Sequence, residues 1–276
     1  MLDEGRLSRV IEKMTTDCLL ITDPISIAYL CGKKIEPGER FLGLLIGKGI
    51  EPVLILNQLF RFSEEIGVRV EYYKDTDRIT KVISKFIDKN SSLGVDKIMP
   101  ARFLIPMMEE SIASEFKLGS YAVDHTRAVK DAREQELMRA ASHINDLAMT
   151  EFKKLIHEGV TEVEVASQML DIYLKLGASG YSFEPIVAFG KNAADPHHMP
   201  DDTVLQEGDT VLFDVGCVVN GYCSDMTRTF FYKKYPTAEQ VVVYNLVRKA
   251  NERAESYCKP GVRLCDIDAV ARNIIT

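Results

Sequence analysis

The sequence has no basic excess, no long apolar run and no paired-cysteine motif. Its 34 Lys and Arg against 41 Asp and Glu give a formal net charge of −7. Neither nucleic acid nor a membrane surface is therefore an expected partner. The opening residues, Met1-Leu2-Asp3-Glu4-Gly5-Arg6, put acids where a secretion signal needs a basic start and an apolar run. No apolar stretch approaches the roughly 18–20 residues that span a bilayer. The six cysteines (Cys18, Cys31, Cys217, Cys223, Cys258 and Cys265) form no C-x-x-C pair, which removes the usual zinc-site spacing. They read as reduced, mostly buried thiols of a cytoplasmic protein. Internal repeats and low-complexity segments are absent as well. Gly47-Lys48-Gly49 lacks the Walker spacing and the Ser or Thr after Lys, so it reads as a strand turn, not a phosphate loop.

What is present fits a folded protein with two cores. The chain has 276 residues, 46% of them hydrophobic and 27% charged, ordinary values for globular domains. Up to about residue 125 the pattern alternates strands and helices. Leu7, Val10, Ile11 and Met14 recur at helical spacing. Strands are expected at 18–22, 41–46, 52–56, 68–73 and 93–96. Helices are expected from Pro24 to a stop at Gly32, around 57–66, and over 76–89. After His125 the texture changes. A long amphipathic helix is expected over 132–157, and the capping box Thr161-Glu-Val-Glu164 starts another that runs to about Leu176. Strands at 184–189, 210–219 and 222–231 follow. Then come a helix capped at Thr237 and a last one over 264–276. The division is placed at 1–126 and 127–276.

The most informative stretch runs from Val211 to Phe231. Asn220-Gly221 is a strong type I′ hairpin signal, because both central residues of that turn need positive φ. If these two residues form the loop, Asp214 faces Thr227 and Gly216 faces Asp225. One face then carries Leu212, Asp214, Gly216, Asp225, Thr227 and Thr229, and the other, mainly core, carries Val211, Phe213, Val215 and Cys217. The two carboxylates lie on a diagonal, roughly 7–8 Å apart at the backbone. Gly216 beside them is expected to leave room for a ligand. With no Lys or Arg on that face, the acids repel unless a cation lies between them or one stays protonated. A pair of hard divalent ions, a shared proton and a solvated sheet face are the three readings of this spacing. Upstream, Ile186-Val-Ala-Phe-Gly-Lys-Asn-Ala-Ala-Asp-Pro-His-His198 leads a strand into a loop with two histidines. His197 there is a proton carrier, a hydrogen-bond donor to substrate, a metal ligand or a plain surface residue.

Together these segments resemble the Xaa-Pro peptidase group of the pita-bread metallopeptidases, which includes prolidase and aminopeptidase P. Phe183–His197 resembles the family segment ending in the substrate-site histidine. Glu207–Asp214 and Gly221–Thr229 resemble the stretch with its first two metal ligands, including the step from Asp214 to Asp225. Asp266-Ile-Asp268 with Ala271-Arg272 resembles the helix that follows. Ala128-Val-Lys130 with Glu134 resembles the entry to the catalytic domain, and Tyr29-Leu-Cys-Gly32 a turn of the creatinase/prolidase-type N-terminal domain. The fold implied is an α/β creatinase/prolidase-like N-terminal domain followed by an incomplete α+β pita-bread catalytic domain.

The resemblance implies a cytoplasmic, metal-dependent hydrolase of Xaa-Pro bonds in di- or oligopeptides, acting as a homodimer with two divalent ions (Mn, Co or Zn). Asp214 and Asp225 would hold the ions, His197 would contact the substrate, and Thr227 would orient a carboxylate from behind. His198 is expected to matter little. Creatinase shares the fold but cleaves a C–N bond without metal; keeping both acids argues against that reading. An inactive binding or dimerisation module is the non-enzymatic alternative. The family completes its site with a histidine and two glutamates further along, whereas none of the five histidines here follows Asp225. The chain is accordingly expected to comprise the first domain and about half of the second. Ending at Thr276, it would be inactive and bind metal weakly or not at all.

Overall fold

Asp3 accepts a hydrogen bond from the Arg6 amide and so starts α1 (Glu4–Lys13), which buries Leu7 and Val10. The computed structural model describes residues 1–276 and divides into two units, Met1–Lys130 and Asp131–Thr276. In the first unit α1 is followed by β1 (Cys18–Ile21), α2 (Pro24–Cys31), β2 (Leu42–Gly47), β3 (Ile50–Asn57), β4 (Arg69–Tyr73), α3 (Ile79–Ile83), β5 (Ser92–Val95), α4 (Ala101–Glu109), β6 (Glu115–Leu118) and α5 (Ser120–Ala128). The strands form one mixed sheet in the order β4-β3-β2-β1-β5-β6. Successive residues of β1 serve opposite faces. Leu19 and Ile21 pack with Val10 and Leu30 from α1 and α2, and Cys18 and Leu20 pack with Ile83 and Met107 from α3 and α4. A strand covered on both sides needs a continuous apolar run, which is what Cys18–Ile21 is.

Three expectations change here. The helix expected at 57–66 is only a 3-10 turn, Gln58–Phe60, started by the Asn57 side chain on the Leu59 amide. The one expected at 76–89 shrinks to α3, where the Ser84 hydroxyl bonds back to the Thr80 carbonyl at 2.7 Å and competes with continuation. Helix α5 continues to Ala128, beyond the division placed at residue 126.

The second unit contains α6 (Ala132–Phe152), α7 (Glu162–Lys175), β7 (Gly180–Tyr181), β8 (Ile186–Phe189), β9 (Thr210–Val215), β10 (Cys217–Val219), β11 (Tyr222–Cys223), β12 (Met226–Phe231), α8 (Ala238–Tyr257) and α9 (Leu264–Ile275). Capping boxes start α6, α7 and α8. The strands form two antiparallel sheets, β12-β9-β8 and β11-β10-β7. Phe152 of α6 and Tyr173 of α7 pack into one core with Val187, Phe189, Phe213 and Val215. Phe152 meets Tyr173 and Phe213 edge-on, with centroids 5.1 and 6.4 Å apart. Helices α8 and α9 bury only Ala250 between them and leave Val242, Val247 and Leu264 exposed.

The thiols correct another expectation. Cys18, Cys31 and Cys217 are buried, but Cys223, Cys258 and Cys265 are exposed, because β11, α8 and α9 leave most of their surface to solvent.

Candidate metal centre

The hairpin turns at Asn220 (φ 50°) and Gly221 (φ 83°), both in the left-handed region that a type I′ turn demands. Val219 pairs with Tyr222, Val215 with Met226 and Asp214 with Thr227. Val211, Phe213, Val215 and Cys217 are wholly buried, whereas Leu212 and Asp214 on the opposite face are half-buried. One wall of the hairpin is therefore core, and the other carries the acids.

Between Val215 and Cys217 the chain leaves one sheet for the other, and Gly216 makes that crossing possible. A Cβ at 216 would lie 2.1 Å from both the Ser182 hydroxyl and the Ser224 carbonyl oxygen. The expectation that this glycine leaves room for a ligand is thus corrected: the space is filled by protein. Buried polar groups pin the crossing. Asn145 Nδ2 donates to the Val215 carbonyl at 3.1 Å, the Tyr173 hydroxyl donates to Asn145 Oδ1 at 2.6 Å, and the Ser182 hydroxyl donates to the Ser224 carbonyl at 2.7 Å. The strand ends that carry Asp214 and Asp225 are fixed by this network.

Asp214 occupies the central strand β9, with Ile186 of β8 on one side and Thr227 of β12 on the other. Its Oδ1 is buried and has no hydrogen-bond partner. Asp225 is more open. Partial burial and the charge of Asp214 hold the Asp225 carboxyl above the ordinary carboxylate range, and no Lys or Arg lies near enough to pull it down. The hydroxyl of Thr227 is exposed and bonds to neither carboxylate. A buried carboxylate oxygen without a donor, beside a second acid and no basic group, suits a hard divalent cation.

The His-His loop starts one strand away. Strand β8, paired with β9, runs into a 3-10 turn at Gly190–Ala194 and then to Asp195-Pro196-His197-His198. The His197 amide donates to Asp195 Oδ1 at 3.0 Å, and its imidazole is exposed, with no hydrogen bond to either aspartate. His198 differs: its Nε2 lies 2.6 Å from Oε2 of Glu162, a carboxylate with no exposed side-chain surface. Glu162 was read only as part of a helix start, since its burial depends on a loop more than twenty-five positions later.

Residues 136–276 match the profile of metallopeptidase family M24, and residues 5–129 match the creatinase/prolidase N-terminal domain. An uncharacterized peptidase of Staphylococcus epidermidis is 34% identical over 284 residues, an alignment covering 98% of this chain and 77% of that one. Among solved structures, the prolidase of Pyrococcus horikoshii OT3 matches with a TM-score of 0.86 at 27% identity, over 99% of this chain and 77% of that one. The Xaa-Pro dipeptidase of Bacillus anthracis gives 0.83 at 28% identity, over 98% and 76%. The X-Pro aminopeptidase of Thermotoga maritima MSB8 gives 0.80 at 26%, over 98% and 77%.

Proposed function

The chain belongs to metallopeptidase family M24, and from that premise we propose that it hydrolyses the bond between an N-terminal residue and proline. The observation that carries the reading is the buried, donorless Oδ1 of Asp214 beside the raised carboxyl of Asp225. Asp214 and Asp225 would hold divalent ions, Mn²⁺, Co²⁺ or Zn²⁺. When bound, such ions supply Lewis acidity toward a carbonyl oxygen and acidify water.

The chain's own residues do the rest. His197, open to solvent and with both ring nitrogens unengaged, donates a hydrogen bond to the scissile carbonyl and strengthens it as the oxygen gains charge. Thr227 faces Asp214 across the sheet and becomes a hydrogen-bond donor to that carboxylate by rotating its hydroxyl. Residues 1–130 serve as the N-terminal domain and 131–276 as the part of the catalytic domain that carries these acids. The working form is a cytoplasmic homodimer. Two carboxylates offer at most four oxygens, fewer than a pair of such ions needs even at four ligands each, so Asp214 and Asp225 by themselves hold metal weakly.

The test is hydrolysis by the full-length native protein after loading with each ion in turn. Xaa-Pro dipeptides and longer Xaa-Pro peptides are compared with Xaa-Ala controls. A protein holding about two ions per chain that cleaves none of the Xaa-Pro substrates would overturn the reading.

A further inference from the structure

Glu162 is the first residue of α7, yet its carboxylate is fully buried and takes four N–H donors. Oε1 accepts from the Phe189 amide at 2.6 Å and from Asn192 Nδ2 at 3.0 Å. Oε2 accepts from His198 Nε2 at 2.6 Å and from the Asp201 amide at 3.1 Å. Four donors fill the lone-pair positions a carboxylate offers. The donors come from residues 189, 192, 198 and 201, so a single side chain closes the whole loop around His197. The start of α7 reinforces the closure: the Glu162 amide donates to the Thr203 carbonyl at 3.3 Å, and the Val163 amide to the Asp201 carbonyl at 3.2 Å.

The oxygens and nitrogen of Glu162, His198 and Asp201 lie within 4.8 Å of one another, which invites a reading as an ion site. The hydrogen bonds argue for an anchor instead. Glu162 is saturated, and the Asp201 carboxylate is occupied by the Thr203 amide at 2.7 Å. Since a carboxylate only accepts, His198 supplies the hydrogen from Nε2. His197 has no ring contact of its own, so its position depends on what holds its neighbours.

We propose that Glu162 and His198 are positioning residues that fix the loop of residues 190–202 in the form that presents His197 to the substrate carbonyl. The proposal rests on the assignment of His197 to substrate made above. Without the anchor the loop samples many conformations, and a displacement of about 1 Å at a reacting group costs as much as 100-fold in rate.

The experiment uses the full-length native protein and its His198→Ala, His198→Gln and Glu162→Gln variants. Glutamine places an N–H donor about where His198 Nε2 stands; alanine removes it. Glu162→Gln turns an NH₂ group toward amide donors. His198→Ala is expected to lower kcat by about tenfold or more, with metal content unchanged and KM within about twofold, while His198→Gln regains most of the loss. Amide exchange at Phe189 and Asp201, read without substrate, should accelerate in His198→Ala and Glu162→Gln and stay slow in His198→Gln. A His198→Ala protein with native turnover and native exchange overturns the proposal. So does a His198→Gln protein no better than His198→Ala, which keeps the test decisive if Glu162→Gln fails to fold. A native protein inactive on every Xaa-Pro peptide refutes the proposed function instead, and exchange at the two amides then decides the anchor by itself.

Discussion

Replacing Asp214 by asparagine removes one charge from a face that holds two acids, and it changes almost nothing in shape. In the metal-free protein the Asp225 carboxyl is pushed above its ordinary range by partial burial and by Asp214. An amide at 214 ends that repulsion, and its Nδ2 supplies a donor to Asp225. Because Asp225 is largely exposed, solvent screens the gain to about 1 kcal/mol or less. That corresponds to roughly 2–4 °C at most for a unit of this size. Melting in EDTA should therefore be level or slightly higher in Asp214→Asn than in the parent. Added Mn²⁺ should reverse the order. An ion present at about 100 times its Kd stabilises the parent by about 2.7 kcal/mol. Loss of a ligand weakens binding by at least the 10–100-fold seen when mere outer partners of a metal site are removed, and the variant should show little or no shift. The assay is thermal melting of the full-length protein in EDTA and in Mn²⁺, with metal content measured in parallel. An equal Mn²⁺ shift in both proteins would sink the argument. So would a drop of several degrees in EDTA, which would mean that Asp214 is held by structural partners rather than left for a cation.

Other predictions follow from single contacts. Gly216→Ala places a methyl group 2.1 Å from Ser182 Oγ and the Ser224 carbonyl oxygen, and should cost about 3 kcal/mol or prevent folding, read by denaturant titration. His197→Ala should lower kcat by about 100-fold or more while metal content stays at the parent level; loss of metal with the same variant would make His197 a ligand instead. Thiol titration of a folded polypeptide of residues 1–276 should count three fast cysteines, Cys223, Cys258 and Cys265, with Cys18, Cys31 and Cys217 reacting only on unfolding; burial pushes the Cys31 thiol up to about 11. A polypeptide of residues 1–276 should self-associate through the apolar surface of α8, where Val242 is 65% and Val247 53% exposed. Substituting both by Lys should remove that self-association in sedimentation runs.

Legibility in the sequence tracked the range of the interaction that shapes each element. Local chemistry was readable: Pro24 and Gly32 bound α2, the caps at Thr161 and Thr237 start α7 and α8, and Asn220-Gly221 sets the whole hairpin register. Elements whose form depends on distant packing were not. Residues 57–66 carry apolar side chains at plausible helical spacing but settle them into the core from an irregular path, as Phe60 and Ile66 do. Strand β6 buries none of its residues and so presents no alternation to detect, and Pro106 inside α4 reads as a break although the helix continues past it. Helix α5 was missed beside them, its four buried residues all small or polar apart from Val123.

The candidate site divides in the same way. Asp214 and Asp225 could be placed on one face because a two-residue turn and a period of two fix which side chains share a face, an inference within twenty residues of chain. Gly216 was misread because the same rule says nothing of what fills the space beside a residue: a Cβ there meets the Ser224 carbonyl of the hairpin itself and Ser182, over thirty positions upstream. Glu162 lies 27 to 39 positions from its partners at 189–201, and in a capping segment an acid at that position is an ordinary solvent-facing residue. Only the folded loop reveals it as a carboxylate with no exposed surface and four donors. His198 illustrates the consequence: beside His197 in sequence it seemed the dispensable member of the pair, and in the fold it is the one that is held. The chemistry at the end of the loop is thus set by a local motif, but its aim is set by a contact that no local motif encodes.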